Sequence, residues 1–388
     1  MRGRRLVAAA VVAVLAWVAG GASAASSAGT GWTSTQNAAV AYAPTSGGWS
    51  AQTLRMPVRV SLGGSQLRIH LTNRYATTAT AIGHVTVGLQ AGGANNAGTP
   101  VTVAFGGSQT LTMPAGASAV SDPVALPVAA NSRLLVSVFI PAGANAMPPR
   151  HDLADETGYN YNGGDSSAAA VFPVSNTFSF VAMLDGVDVS STAPDTVVAI
   201  GDSITDGLNL ASDTDTRWPN YLAARAAADG LAVIDEGISG DDVTYDQPTA
   251  PGVQTRWNTD ALNQPGVRTI VEQGGINDIR TGVPVTALEA AQTSLIASAH
   301  AAGVRVLLTT LTPMSGSSGD SAAEESARSA YNAWVLGGGG GADGVVDFAA
   351  ALDNGAAALA TAYDSGDHLH PNAAGAAVLA DVVDLTRL

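Results

Sequence analysis

The 388-residue sequence contains no cysteine and no lysine, and it is poor in aromatic (5%) and charged (13%) residues. Without cysteine it can form no disulfide, carry no lipid on an N-terminal thiol and build no cysteine–zinc site. Without lysine it has no Schiff-base amine and no lysine-assisted serine chemistry. All 17 cations are arginines, set against 32 carboxylates, for a formal net charge of −15. That balance argues against nucleic acid as a partner, because phosphate binding depends on clustered cations. Apolar residues are plentiful instead: 46% of the chain is hydrophobic, enough to bury sizeable cores and unlike a disordered chain. At roughly 100–200 residues per domain, the length implies two domains.

Residues 1–24 carry Arg2, Arg4 and Arg5, an apolar run over 6–18, and the ending Ala22-Ser23-Ala24. A basic start, a short apolar run and an Ala-x-Ala end read as a secretory signal peptide, cleaved after Ala24, since the run is too short to span a bilayer. Arg4-Arg5 alone is a poor twin-arginine signal, so ordinary export is expected. No later stretch resembles a membrane anchor. The mature protein is therefore expected to be secreted and extracellular, with no transmembrane segment.

Residues 25–192 have the texture of an all-β domain, a sandwich or jelly roll. Short β-prone runs at 56–62, 66–72, 84–89, 101–105 and 133–140 alternate with glycine-rich turns. Val58, Val60 and Leu62, like Leu67, Ile69 and Leu71, give the period of two of strands buried on one face. His70, His84 and His151 fall at no metal-ligand spacing and read as structural histidines. Tyr159 and Tyr161, in a loop-like stretch, are candidates for carbohydrate contact by this domain.

A small polar linker, Ser190-Ser191-Thr192-Ala193-Pro194, marks the boundary, and 193–388 then alternates strand and helix. Apolar strand candidates lie at 197–200, 231–234, 269–271, 304–308 and 344–348. Thr286-x-x-Glu289 and Ser321-x-x-Glu324 have the form of capping boxes, and Gly303 that of a helix stop. Five strands with crossover helices imply a three-layer, mostly parallel sheet. The carboxyl ends of such strands open on one crevice. Four stretches reach it: Gly201-Asp202-Ser203, then Gly237-Ile238-Ser239-Gly240, then Gly275-Ile276-Asn277-Asp278, and finally Asp367-His368-Leu369-His370 before the last helix.

In their order and in their positions after successive strands, these four stretches resemble the SGNH hydrolases, the superfamily that includes the GDSL esterases and lipases. The resemblance covers about residues 195–388. It implies a flavodoxin-like α/β/α domain, and the β region is similar to the N-terminal half of some secreted two-domain members. There is no Gly-x-Ser-x-Gly, so the elbow of ordinary α/β hydrolases is absent. Asp235-Glu236 stands where many relatives have asparagine and a small residue, a departure expected to bear on substrate preference.

A neutral serine hydroxyl needs a base, and His370 is the candidate for Ser203. Asp367 can accept from the other imidazole nitrogen and fix the tautomer. The resemblance assigns the oxyanion donors to the backbone amides of Ser203 and Gly240 and the side-chain amide of Asn277. Other readings stay open at this stage. Asp364, Asp367, His368 and His370 could ligate a metal, and Asn277 could merely close a turn. Gly240 could serve only its backbone angles, and Asp367 could be a cap beside a Ser–His dyad, with Asp364 the alternative carboxylate. His300 reads as a dipole partner at a helix end, and Arg217-Trp218-Pro219 as a helix start. The expectation is a secreted serine esterase acting through an acyl-enzyme on small-molecule or polymeric esters, with short-chain or carbohydrate O-acyl esters favoured, and with no metal or cofactor. A lipase or lysophospholipase, an acyltransferase using the same site, and a non-catalytic carbohydrate-binding protein are the alternatives.

Overall fold

The computed structural model describes residues 31–388 apart from 145, so the expected signal peptide lies outside the described residues. Residues 31–191 are mostly β, in two principal antiparallel sheets. One runs in the order Gly31–Asn37, Leu184–Ser191, Leu67–Thr72, Ser118–Val120. The other is centred on Gln52–Arg59, Arg133–Ile140 and His84–Gly92, with Gly158–Tyr161 outside the first of these. Both sheets feed one hydrophobic core. Leu67, Ile69 and Leu71 bury against Val58, Val136, Val138 and Val85, as the alternation expects.

The strands Gly31–Asn37 and Leu184–Ser191 are absent from the sequence reading, because their polar residues hide the pattern. Ser190 and Ser191, expected in a linker, instead finish a strand opposite Trp32 and Gly31. Tyr159 and Tyr161 sit in a strand, not a loop, and Tyr161 packs edge-on against Phe172 with centroids 6.5 Å apart.

Residues 196–346 supply a five-stranded sheet in which every pairing is parallel. In chain order its strands are Thr196–Gly201, Ala232–Gly237, Val267–Gln273, Arg305–Thr309 and Gly344–Val346. Spatially they lie second, first, third, fourth, fifth, which puts the switch in strand order at the carboxyl end of Thr196–Gly201. Val198 and Ile200 pack into one core with Leu295 and Tyr331, while Val197 and Ala199 pack into another with Leu222 and Leu379. A strand buried on both faces is what a continuous apolar run codes for.

Ser321 caps the helix Ala322–Leu336 by accepting from the Glu324 amide at 3.2 Å. Thr286 caps nothing, because Pro284 already stands at the cap and the helix runs Val285–Ala301. The edge strand Ala232–Gly237 would expose unpaired backbone, but the N-terminal region covers it. The Val233 amide donates to Ser61 Oγ at 3.1 Å, and nearby the Ser34 amide donates to the Pro265 carbonyl at 2.9 Å.

Candidate active site

Strand Thr196–Gly201 ends in a short helix, Ser203–Asp206, capped by Asp202, whose Oδ1 accepts from the Ile204 amide at 2.9 Å. The cap turns the chain so that Ser203 opens the helix beyond the sheet. Ser203 Oγ lies 2.8 Å from His370 Nε2, across 167 residues of chain. His370 Nδ1 lies 2.6 Å from Asp367 Oδ2. The three expected catalytic side chains thus form one hydrogen-bonded series, with Ser203 and His370 buried and the Asp367 carboxylate partly exposed.

Local bonds shape the Asp367–His370 loop. Asp367 Oδ1 accepts from the amides of Leu369 (3.0 Å) and His370 (2.9 Å), while Asn209 Nδ2 donates to Oδ2 at 2.8 Å. Burial acts upward on this carboxyl, but the His370 amide and imidazole and the Leu369 amide outweigh it and hold Asp367 well below the usual carboxylate range. Asp364 turns away from His370 and pairs with His368 Nδ1 at 2.6 Å. Asn372 then caps the final helix, Ala373–Asp381, accepting from the Ala374 and Gly375 amides. Among the described residues no three His, Asp or Glu side chains gather in a way that could hold a metal ion.

On the opposite side, strand Ala232–Gly237 leads into the Ser239–Gly240 turn. A Cβ on Gly237 would lie 2.3 Å from the Asp206 amide nitrogen, so glycine lets the serine helix sit against this strand. Gly240 has φ +85°, a Cβ there would meet nothing within 4 Å, and its N–H meets no acceptor among the described residues. Asn277, on the helix Ile276–Thr281, donates from Nδ2 to the Asp241 carbonyl at 2.7 Å, which brings its amide to the Gly240 turn. The neighbouring Asp278 carboxylate gathers the Val243 and Thr244 amides at 2.7 and 3.0 Å.

Several residues at this site carry no signal in the sequence. Arg256 is fully buried; its Nη2 donates to Asp241 Oδ2 at 2.6 Å and to the Gly201 carbonyl at 2.9 Å, and its Nη1 to the Glu236 carbonyl. One guanidinium therefore ties two strand ends to the turn after Gly240. Asp206 Oδ2 accepts from the Ser239 amide (2.8 Å) and hydroxyl (2.6 Å), while its Oδ1 meets His151 Nε2 at 2.9 Å. His151, read from the sequence as a structural histidine, reaches the serine helix from the N-terminal region. His300, in the last turn of its helix, pairs with Asp343 at 2.8 Å. Asp235 and Glu236 face the junction with the N-terminal region: Asp235 lies 3.8 Å from Arg217, and Glu236 shares a cavity wall with Arg68, His70 and Arg74.

A profile of the GDSL-like lipase/acylhydrolase family matches residues 199–378. No curated protein matches the chain. Among solved structures, a protein assigned to the lipolytic G-D-S-L family from Desulfitobacterium hafniense DCB-2 is 19% identical, with 50% of this chain and 99% of that one covered at a TM-score of 0.41. A member of the lipolytic G-D-S-L family from Veillonella parvula DSM 2008 is 20% identical, covering 48% of this chain and 95% of that one, with a TM-score of 0.39. A variant of an acetyl xylan esterase from Geobacillus stearothermophilus is 23% identical, covering 48% and 90%, with a TM-score of 0.38.

Proposed function

The chain carries a GDSL-like lipase/acylhydrolase domain of the SGNH superfamily and is a hydrolase of esters; from that premise we propose a serine esterase with Ser203 as nucleophile, His370 as base and Asp367 as the orienting carboxylate. The observation that carries this reading is the series Ser203 Oγ–His370 Nε2–Asp367 Oδ2, with links of 2.8 and 2.6 Å. As Ser203 Oγ bonds to the ester carbonyl carbon, its proton passes to His370 Nε2, and Asp367 stabilises the resulting imidazolium. Negative charge moves to the carbonyl oxygen, where the amides of Ser203 and Gly240 and Nδ2 of Asn277 are the donors. Collapse breaks the bond to the alcohol, which leaves with the His370 proton. Water then repeats the sequence on the acyl-serine and frees the acid.

The surface beside Asp367 favours a small or polar ester. Asn209, Thr214, Thr216, Asp364, Ser365 and Asn372 line the cavity there, together with Leu210, Ala211 and Ala373. Such a mixed surface of hydroxyls, amides and a carboxylate offers hydrogen bonds to the alcohol side of a carbohydrate ester, whereas a long acyl chain needs a continuous apolar wall. We also read residues 25–192 as a β-sandwich domain, 193–388 as a three-layer hydrolase domain, and 1–24 as an export signal. Contact with carbohydrate through the first domain remains part of this proposal.

The test is hydrolysis of p-nitrophenyl esters from acetate to palmitate by the wild type and Ser203→Ala, with a chelator present. Chelator-insensitive turnover of acetate and butyrate that falls by about 10⁴-fold or more in the variant is expected. Preference for palmitate would move the reading to a lipase, new esters formed with added alcohols would move it to an acyltransferase, and equal turnover by the variant would remove Ser203 from the mechanism.

A further inference from the structure

We propose that His151, from the N-terminal region, is a positioning residue for the oxyanion turn: through Asp206 it fixes the Ser239–Gly240 peptide. The proposal rests on the serine-esterase reading above. Its geometry starts from the short helix Ser203–Asp206, which has the nucleophile at one end and a fully buried carboxylate at the other. Asp206 Oδ2 grips Ser239 twice, at the amide (2.8 Å) and the hydroxyl (2.6 Å). Ser239 is bonded directly to Gly240, so the Asp206 carboxylate sets where the Gly240 N–H points relative to Ser203.

His151 holds the other oxygen of that carboxylate. It lies in the two-residue strand Arg150–His151, paired with Val181–Ala182, and is itself buried. Its Nδ1 is 2.8 Å from the Ala39 carbonyl; its Nε2 is 2.8 Å from the Leu153 carbonyl and 2.9 Å from Asp206 Oδ1. Every one of these partners is an acceptor. A neutral imidazole would turn a lone pair on one of them, whereas the imidazolium donates to all. Burial works against that charge, but the Asp206 carboxylate beside it outweighs burial and keeps His151 protonated above its ordinary range, while Asp206 is held below its own.

Other charges face the pair. Arg217, at the start of the following helix, comes within 3.7 Å of Asp206, 3.2 Å of Asp155 and 3.8 Å of Asp235. Asp155 comes from the loop after His151, and Asp235 from the edge strand. Arg217 alone cannot replace His151, because its nearest approach to Asp206 exceeds hydrogen-bond length. Loss of the His151 proton would remove the positive charge opposite the Asp206 carboxylate and turn a ring lone pair on the Ala39 carbonyl or on Asp206, loosening the grip on Ser239.

The experiment measures kcat and KM for p-nitrophenyl acetate, corrected for spontaneous hydrolysis, from pH 5 to 10, on the full chain. It compares wild type, Ser203→Ala, His151→Ala and His151→Gln, with thermal unfolding as a check on folding. Wild type is expected to lose kcat on the alkaline side as His151 deprotonates. His151→Ala should lower kcat about 10- to 100-fold with KM changed less than about threefold, since misplacing one oxyanion donor approaches the cost of deleting it. His151→Gln retains an uncharged donor to Asp206 but has no proton to lose, so its kcat should lie between those of His151→Ala and of the protonated wild type and show no alkaline limb. A merely structural histidine would not produce that change in profile. If Ser203→Ala is active, the esterase reading itself fails. If Ser203→Ala is inactive but wild type has no alkaline limb, or His151→Gln keeps it, the positioning proposal alone is overturned; this holds even if His151→Ala does not fold.

Discussion

On one side of Ser203, His370 and Asp367 lie three residues apart in a single partly exposed loop, shaped by bonds between neighbours in the chain. On the other side, the Gly240 turn is held by Asp206, His151, Arg256 and Asp241, whose carboxylates and cations are buried and come from segments far apart in sequence. The base side tolerates solvent because Asp367 has only to orient His370 within one loop, while the proton moves between Ser203 and His370. The oxyanion side has to keep backbone and side-chain amides aimed at one point in space, and buried, charge-assisted bonds supply that rigidity. Electrostatic stabilisation of this kind depends on donors that need no reorganisation during the reaction.

The comparison can be broken first on the base side. If Asp367 orients His370, Asp367→Asn should lower kcat by about 10²- to 10⁴-fold with folding intact, as for a triad carboxylate replaced by an amide. A loss below about tenfold would reduce the base side to a Ser203–His370 dyad. The oxyanion side is tested by Asn277→Ala, expected to cost about 10²- to 10³-fold in kcat with little change in KM. A rise in KM at constant kcat would instead make Asn277 a ground-state contact.

What the sequence discloses follows the same division. Ser203, Gly240, Asn277, Asp367 and His370 each stand in a short block after a strand or before a helix, and strand order alone brings those blocks to one edge. The Asp367–His370 pair is legible because it is local. Arg256 with Asp241, and His151 with Asp206, are not, because pairing across 15 and 55 residues leaves no period and no local pattern. Asn209 is hidden for the same reason, as it meets Asp367 from 158 residues away. In the β region the buried Leu67–Ile69–Leu71 alternation is plain, whereas Gly31–Asn37 earns its place by covering an edge that only the folded chain possesses. Residues 337–341, a run of five glycines, form a turn with a 3₁₀ segment at Gly339–Gly341, where a Cβ on Gly340 would lie 2.7 Å from Thr293 Oγ1.

The smallest expected effect concerns stability and sharpens the contrast in burial. Burial raises Asp202 to about 7, Asp235 to about 6 and Glu272 to about 8, above their unfolded values. Between the unfolded and folded values the native state binds the extra protons, so stability falls as pH rises through roughly 4 to 8. His151, also raised, adds stability below its unfolded value and loses it as pH climbs through the folded one, in the same direction. Asp367 and Asp206, both lowered, are already ionised across that window and contribute no slope there. Thermal unfolding should therefore give a Tm that declines by a few degrees from about pH 5 to pH 8.5, and Asp202→Asn should flatten part of the decline. A Tm that rises over this range would contradict the assignment of buried, protonated carboxyls.

The central step of the reaction is a covalent bond to Ser203. The decisive measurement is mass spectrometry of the protein after reaction with a fluorophosphonate, followed by peptide mapping. The prediction is one adduct per chain on the peptide containing Ser203, formed slowly in His370→Ala and not at all in Ser203→Ala. An adduct on another residue, or ester turnover by a protein that the reagent leaves unmodified and fully active, would contradict it.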